Sequence, residues 1–267
     1  MTVPVTLTLI GGPTVVMRYA GLTVLTDPTF DPPGPHSGLS KTEGPAMSPE
    51  EVGRVDLALV SHDHHPDNLD DSGREVALAA GLALTTAKGG ERVPGLVGMR
   101  PGDTHIVPGK PDVTVTAVAA QHGPRALAPV LGPVVGFVLR AEGWPTVYFS
   151  GDNSSVAVAG RIAIDHPDVG IALLCMGSAK VANRGTAPLT LDVARATRVA
   201  AFWPDATIVP IHVDGWAHFT EQRADALAGL DTRGLADRVV DLPRGVARDV
   251  TERLAPVSPE PSFRRAR

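Results

Sequence analysis

Residues 60–70 read VSHDHHPDNLD, three histidines and three aspartates placed directly after the apolar run DLALV (56–60). The run reads as a buried strand, so the polar cluster sits at its C-terminal end. A solvated loop would need nothing else from the chain. A metal site would need further histidines and aspartates at other strand ends, and the sequence supplies them. VTVTAVAA (113–120) runs into QHGP and His122, TVYFS (146–150) into GDN and Asp152, and ATIVPI (206–211) into His212. Four expected strands each end in a potential ligand, in the loops where sites are built on a rigid scaffold. Imidazole nitrogen and carboxylate oxygen suit Zn²⁺, and also Mn²⁺ or Fe²⁺. With no thiolate in the motifs, the pattern is that of an open, catalytic site rather than a closed structural one.

The chain around these motifs has 267 residues, ample for a sizeable core. Hydrophobic residues make up 43% and charged residues 20%, and the net charge is −5, with no Lys/Arg-rich block in the middle of the chain. That balance gives no footprint for nucleic acid. Cys175 is the one cysteine and lies in the apolar run GIALLCMG, so it reads as a small buried hydrophobe. The opening MTVPVTLTLIGG lacks the basic region and apolar length of a secretory signal, and no run reaches the roughly 18 apolar residues of a membrane span. A cytoplasmic protein with no membrane partner is expected; the oligomeric state stays open.

VTLTLI (5–10), TVVMRY (14–19) and LTVLT (22–26) read as a strand meander. The stretch 27–51 is rich in Pro, Gly and Ser and reads as a long loop of the kind that is often functional. Strands are also expected at LALTTA (82–87), VVGFVLRA (134–141) and GIALLCMG (170–177). Helices are expected in REVALAAG, SSVAVAGRIAIDHP, LTLDVARATRVAAFW and FTEQRADALAGL, and another in VARDVTERL. No linker divides the chain: residues 1–255 form one expected α/β domain, and the Pro-rich, basic tail 256–267 is expected to fray.

SHDHHPDNLD resembles the His-x-His-x-Asp-His signature of the metallo-β-lactamase fold, and the order of the later motifs agrees from LTDP (Asp27) to PIHVDGW (His212). The wording near the start and in GWAHFTE is similar to the branch holding ascorbate-6-phosphate lactonase and the N-acyl phosphatidylethanolamine phospholipase D proteins. The resemblance implies an αββα four-layer sandwich with the metals at the sheet edges. It implies that His62, His64 and His122 hold a first ion, that Asp152 bridges, and that Asp67 and His212 hold a second. Asp67 would also hold the nucleophilic water, and Asp27 would orient the metal loop.

Two departures stand out. The spacing is one residue too long, so His65 competes with His64 for the second role; His64 keeps the i, i+2 spacing and is preferred. The signature's last histidine is Asn68 here, which leaves one or two zinc ions open and makes Mn²⁺ an option at the second position. Asn68 also reads as the N-cap of the following helix.

His218, six residues past His212, could contact substrate or protonate a leaving group. Trp216 is expected at the pocket rim, and His36 could reach over the site. Arg125, Lys180 and, beside it, Asn183 and Arg184 could meet an anionic group, although a solvated role is the simpler reading. His105 and His166 read as surface residues, and Asp63 as pointing away from the metal. The expected function is a metal-dependent hydrolase whose metal-bound hydroxide attacks an ester, lactone or phosphodiester of a small molecule. A nuclease of the same fold, or a non-catalytic binding protein with a degenerate site, are the alternatives.

Overall fold

The structure, a computed structural model, describes residues 3–252, the side chains at positions 111 and 183 excepted. Its strands in chain order are β1 (Thr6–Gly11), β2 (Thr14–Tyr19), β3 (Leu22–Thr26), β4 (Gly34–His36), β5 (Leu39–Lys41), β6 (Leu57–Leu59), β7 (Leu82–Thr86), β8 (Val97–Met99), β9 (Thr104–Val107), β10 (Lys110–Ala119), β11 (Val135–Ala141), β12 (Thr146–Phe149), β13 (Val169–Cys175), β14 (Thr207–Ile211) and β15 (Arg248–Asp249). The helices are α1 (Pro49–Val52), α2 (Asp71–Ala79), α3 (Ala87–Arg92), α4 (Ala128–Leu131), α5 (Val156–Asp165), α6 (Val193–Ala200) and α7 (Arg223–Asp231). One sheet runs β15-β1-β2-β3-β6-β7-β8 and the other β14-β13-β12-β11-β10-β9; β4 and β5 form a separate hairpin.

The inner faces of the two sheets share one core. Leu7, Met17, Leu57 and Leu59 from the first sheet cluster with Val115, Phe137, Ile171 and Val209 from the second. Side chains alternate across a strand, and β13 shows why its sequence is apolar throughout. Ile171, Leu173 and Cys175 face the inner core, while Ala172, Leu174 and Met176 face an outer cluster with residues of α5, α6 and α7. On the first sheet, Ile10, Leu25, Ala58 and Val60 meet Val52 of α1 and Ala77 of α2. Helices thus cover both outer faces, which gives the four-layer αββα sandwich expected from the resemblance. Each fully buried Leu or Phe contributes about 1.5–3 kcal/mol, so Phe137→Ala in the inner layer would cost about 3–5 kcal/mol.

Several local expectations change. The long loop 27–51 contains the β4–β5 hairpin and α1, which begins with a capping box at Ser48 and Glu51. The turn-rich stretch after β7 holds α3 and β8. No helix forms over the described part of VARDVTERL; Arg248 and Asp249 instead pair with Leu7 and Thr6 of β1. The helix after the histidine cluster is capped by Asp70, whose side chain accepts from Gly73 N, and not by Asn68. The tail 256–267 lies outside the described residues. No helix among the described residues is long and apolar enough to cross a membrane.

Candidate metal centre

β3 and β6 are parallel neighbours in the first sheet. β10 and β12 both run antiparallel to β11, and β12, β13 and β14 are parallel. The C-terminal ends of β3, β6, β10, β12 and β14 therefore open on one side, carrying Asp27, His62, His122, Asp152 and His212. Gly151 lets the two sheets meet there. At φ +53, a Cβ on it would lie 2.5 Å from Val135 O and 2.8 Å from Ser61 Cβ, so only glycine brings Asp152 this close to the histidine loop.

Three imidazoles converge in the first half of the site. Ring nitrogens of His62, His65 and His122 all lie within 4.8 Å of one another, and His62 Nε2 is 2.8 Å from His65 Nδ1. Neighbouring groups fix the tautomers. The Ser61 hydroxyl donates to Asp27 Oδ2 at 2.7 Å, so it accepts from His62 Nδ1–H at 2.9 Å. His122 Nδ1 donates to Leu189 O at 3.0 Å. Both rings are left with Nε2 lone pairs, the orientation that outer partners impose on metal-binding histidines. Burial and the adjacent imidazoles push His62 well below the ordinary histidine range, and burial brings His65 down to about 4. His122 is also lowered by burial, against the opposing pull of Asp152 and Asp67. Neutral rings are the ligating form.

The second half is built from charge. Asp67 Oδ2 lies 3.1 Å from His218 Nε2 and 3.3 Å from His212 Nε2. His212 Nδ1 faces Asp152 Oδ1 at 3.3 Å. Burial alone would raise the Asp67 carboxyl, but His212 and His218 more than reverse that and hold it well below the usual carboxylate range. Burial likewise opposes charge on His212, and the carboxylates of Asp152 and Asp67 outweigh it, so its pKa is raised. His212 holds φ +58, a backbone strain that persists where surrounding contacts over-determine it.

Asp27 ties the halves together. It accepts from Ser61 N, Ser61 Oγ and Asn68 Nδ2 at 2.6, 2.7 and 2.8 Å. Burial still raises it to about 7 against those hydrogen bonds. Asn68 Nδ2 also reaches Asp152 Oδ1 at 3.3 Å.

The preference for His64 is corrected. Its Nε2 lies 2.5 Å from Leu131 O, and its ring packs over Gly132, where a Cβ would come within 2.6 Å of Nε2. The extra residue in the motif turns His64 aside and puts His65, at i+3 from His62, beside the other two rings. Asp63 points away from the metal side as expected, but it is buried and bound by the Arg92 guanidinium. Trp216 is buried beneath Lys41 rather than at a rim. His36 contacts Trp216 and Pro32 O, and Arg125 turns to Gln121. Asn183's side chain is outside the described set. The sequence reading missed Ser61 and the Leu189 carbonyl, which set the tautomers, and the approach of Cys175 to Asp152 and His212 within 4.8 Å.

The centre floors a cavity of 220 Å³ whose walls include Leu39, Leu131, Val181 and Leu189, with Arg184 among the lining residues. Lys180 is exposed and does not line it.

The family model of the beta-lactamase superfamily domain matches residues 23–213, from β3 past His212. The chain belongs to this family. A metal-dependent hydrolase of Anaeromyxobacter sp. (strain K) is 27% identical over 216 residues, 74% of this chain and 70% of that protein. Among solved structures of the beta-lactamase superfamily chain's fold, a possible metal-dependent hydrolase of Veillonella parvula superposes with a TM-score of 0.80 at 19% identity, covering 92% of this chain and 100% of that one. An isothiocyanate hydrolase from Delia radicum gut bacteria gives 0.78 at 22% identity, covering 91% and 98%.

The residues present fit a metal. Asp67 Oδ1, Asn68 Oδ1 and both ring nitrogens of His212 are buried without a hydrogen-bond partner. Buried polar atoms are nearly always satisfied, and a cluster of orphaned donor atoms beside three aligned imidazoles is what a divalent ion would complete.

Proposed function

We propose that this beta-lactamase superfamily protein is a metal-dependent hydrolase of small molecules. The observation that carries the reading is the convergence of three neutral imidazoles with orphaned buried donors at the floor of a cavity. His62, His65, His122 and Asp152 would hold a first ion, and Asp67 and His212, with Asp152 shared, a second. A bound ion of this kind supplies Lewis acidity and lowers the pKa of water to about 7.

The chain's own residues account for the rest. Asp67 Oδ1, free of protein partners, can accept a hydrogen bond from the attacking water and hold that water against the bond. His218 fixes the carboxylate through Oδ2. Leu39, Leu131, Val181 and Leu189 exclude bulk water and suit an apolar portion of the substrate, which strengthens every polar interaction inside. Arg184 would meet an anionic end.

The bond class follows the sequence resemblance toward lactones, esters and phosphodiesters, and the similar isothiocyanate hydrolase adds isothiocyanates. A panel of these four classes, assayed with zinc and with manganese, tests the proposal. Turnover of at least one class, abolished by chelation and by His122→Ala, is expected. No turnover in any class, or turnover that survives His122→Ala, overturns it.

A further inference from the structure

The signature's final histidine is missing at position 68, and the structure shows where an imidazole has been placed instead. We propose that His218 supplies the donor of the second metal position that Asn68 does not, so that Asp67, His212 and His218, with Asp152 shared, form a second divalent-metal site. This rests on the metallo-hydrolase reading above.

Asn68 has another task. Its amide N–H group donates to Asp27 Oδ2 and Asp152 Oδ1, so the side chain is held by two carboxylates, and the lone pair it keeps is that of an amide oxygen, Oδ1, where the signature would place an imidazole nitrogen. His218 approaches from a distant loop. Its Nε2 is 3.1 Å from Asp67 Oδ2, the same oxygen that lies 3.3 Å from His212 Nε2. Its side chain is only 10% exposed, and its Nδ1 is buried without a partner.

The loop is held as a ligand platform must be. On one side, Thr42 N donates to Gly215 O and Ala217 N to Ser40 O, which joins the loop to the β4–β5 hairpin. On the other, Lys180 N donates to His218 O, Thr220 N to Gly177 O, and Thr220 Oγ1 to Ser178 O. Phe219 packs against both the His212 and His218 rings, at 4.4 and 4.5 Å between centroids. Two imidazoles and two carboxylates form a donor set suited to Zn²⁺, Mn²⁺ or Fe²⁺.

The test is metal content per chain, read by mass spectrometry after loading with Zn²⁺ and dialysis. The wild-type protein is expected to hold two ions, and His218→Ala and His218→Gln one. The double variant Asn68→His/His218→Ala, with the imidazole returned to its signature position, is expected to regain the second. Melting temperatures of the chelated variants matching the chelated wild type show that the fold is intact. Two ions retained in folded His218 variants, or failure of the double variant to recover the second, overturns the inference. So does loss of one ion in Cys175→Ala, which would assign the donor to that thiol. A wild-type protein with one ion overturns this inference alone; one that binds none overturns the hydrolase reading as well.

Discussion

The two halves of the metal centre are built by opposite means. In the three-histidine half, burial holds the rings neutral, and hydrogen bonds from His62 to Ser61 Oγ and from His122 to Leu189 O aim their lone pairs before any ion arrives. In the carboxylate half, Asp67 lies against His212 and His218 and Asp152 against His212, and several donor atoms have no partner. The first half is preorganised by hydrogen bonding and the second by charge. Their responses to mutation and to pH should therefore differ in sign as well as size.

Removing a donor from the first half should have the largest effect. His122→Ala, or Asp152→Ala between the halves, is expected to take metal-dependent turnover to background, checked in the substrate panel with added zinc. Ser61→Ala leaves every donor in place but releases the His62 tautomer. It should weaken metal affinity by about 10–100-fold, read by competition with a chelator. An unchanged affinity would show that the first half does not depend on this hydrogen bond.

Acid should separate the halves in the chelated protein. The His65 pKa is about 4 in the folded chain against an ordinary 6.5, so the unfolded state takes up its proton first. Stability is then lost as pH falls from 6.5 toward 4, at about 1.4 kcal/mol per pH unit from this residue. The raised pKa of His212 acts with the opposite sign: its contribution is present at lower pH and lost as pH rises through the folded value. Unfolding midpoints of the chelated wild type should fall across the acid window, and those of His65→Gln should fall less. The smallest effect is expected for His64→Ala. Metal content should not change, and stability should shift by about 1 kcal/mol, the contribution of one hydrogen bond.

The halves also differ in how legible they were. β2 and β3 appear within the bounds their β-branched runs suggest, and four strand ends carried the ligand candidates openly in the sequence. The choice between His64 and His65 was not legible, because it turns on Gly132 and Leu131 O, residues far along the chain that give the His64 ring somewhere else to go. Asn68 looked like a lost ligand or a helix cap. Its partners Asp27 and Asp152 show it organising carboxylates, while Asp70 takes the cap. The hairpin inside 27–51 was hidden by Pro and Gly content, and its place is fixed by tertiary contacts, including the buried pair of Lys41 and Asp70 at 3.1 Å.

The central claim is that these strand ends form a divalent-metal centre. Its most direct test is the metal content of the purified wild-type chain after zinc and manganese have both been offered and excess removed. The account predicts about two ions per chain, in the range expected of a two-metal hydrolytic site; fewer than one ion per chain would contradict it.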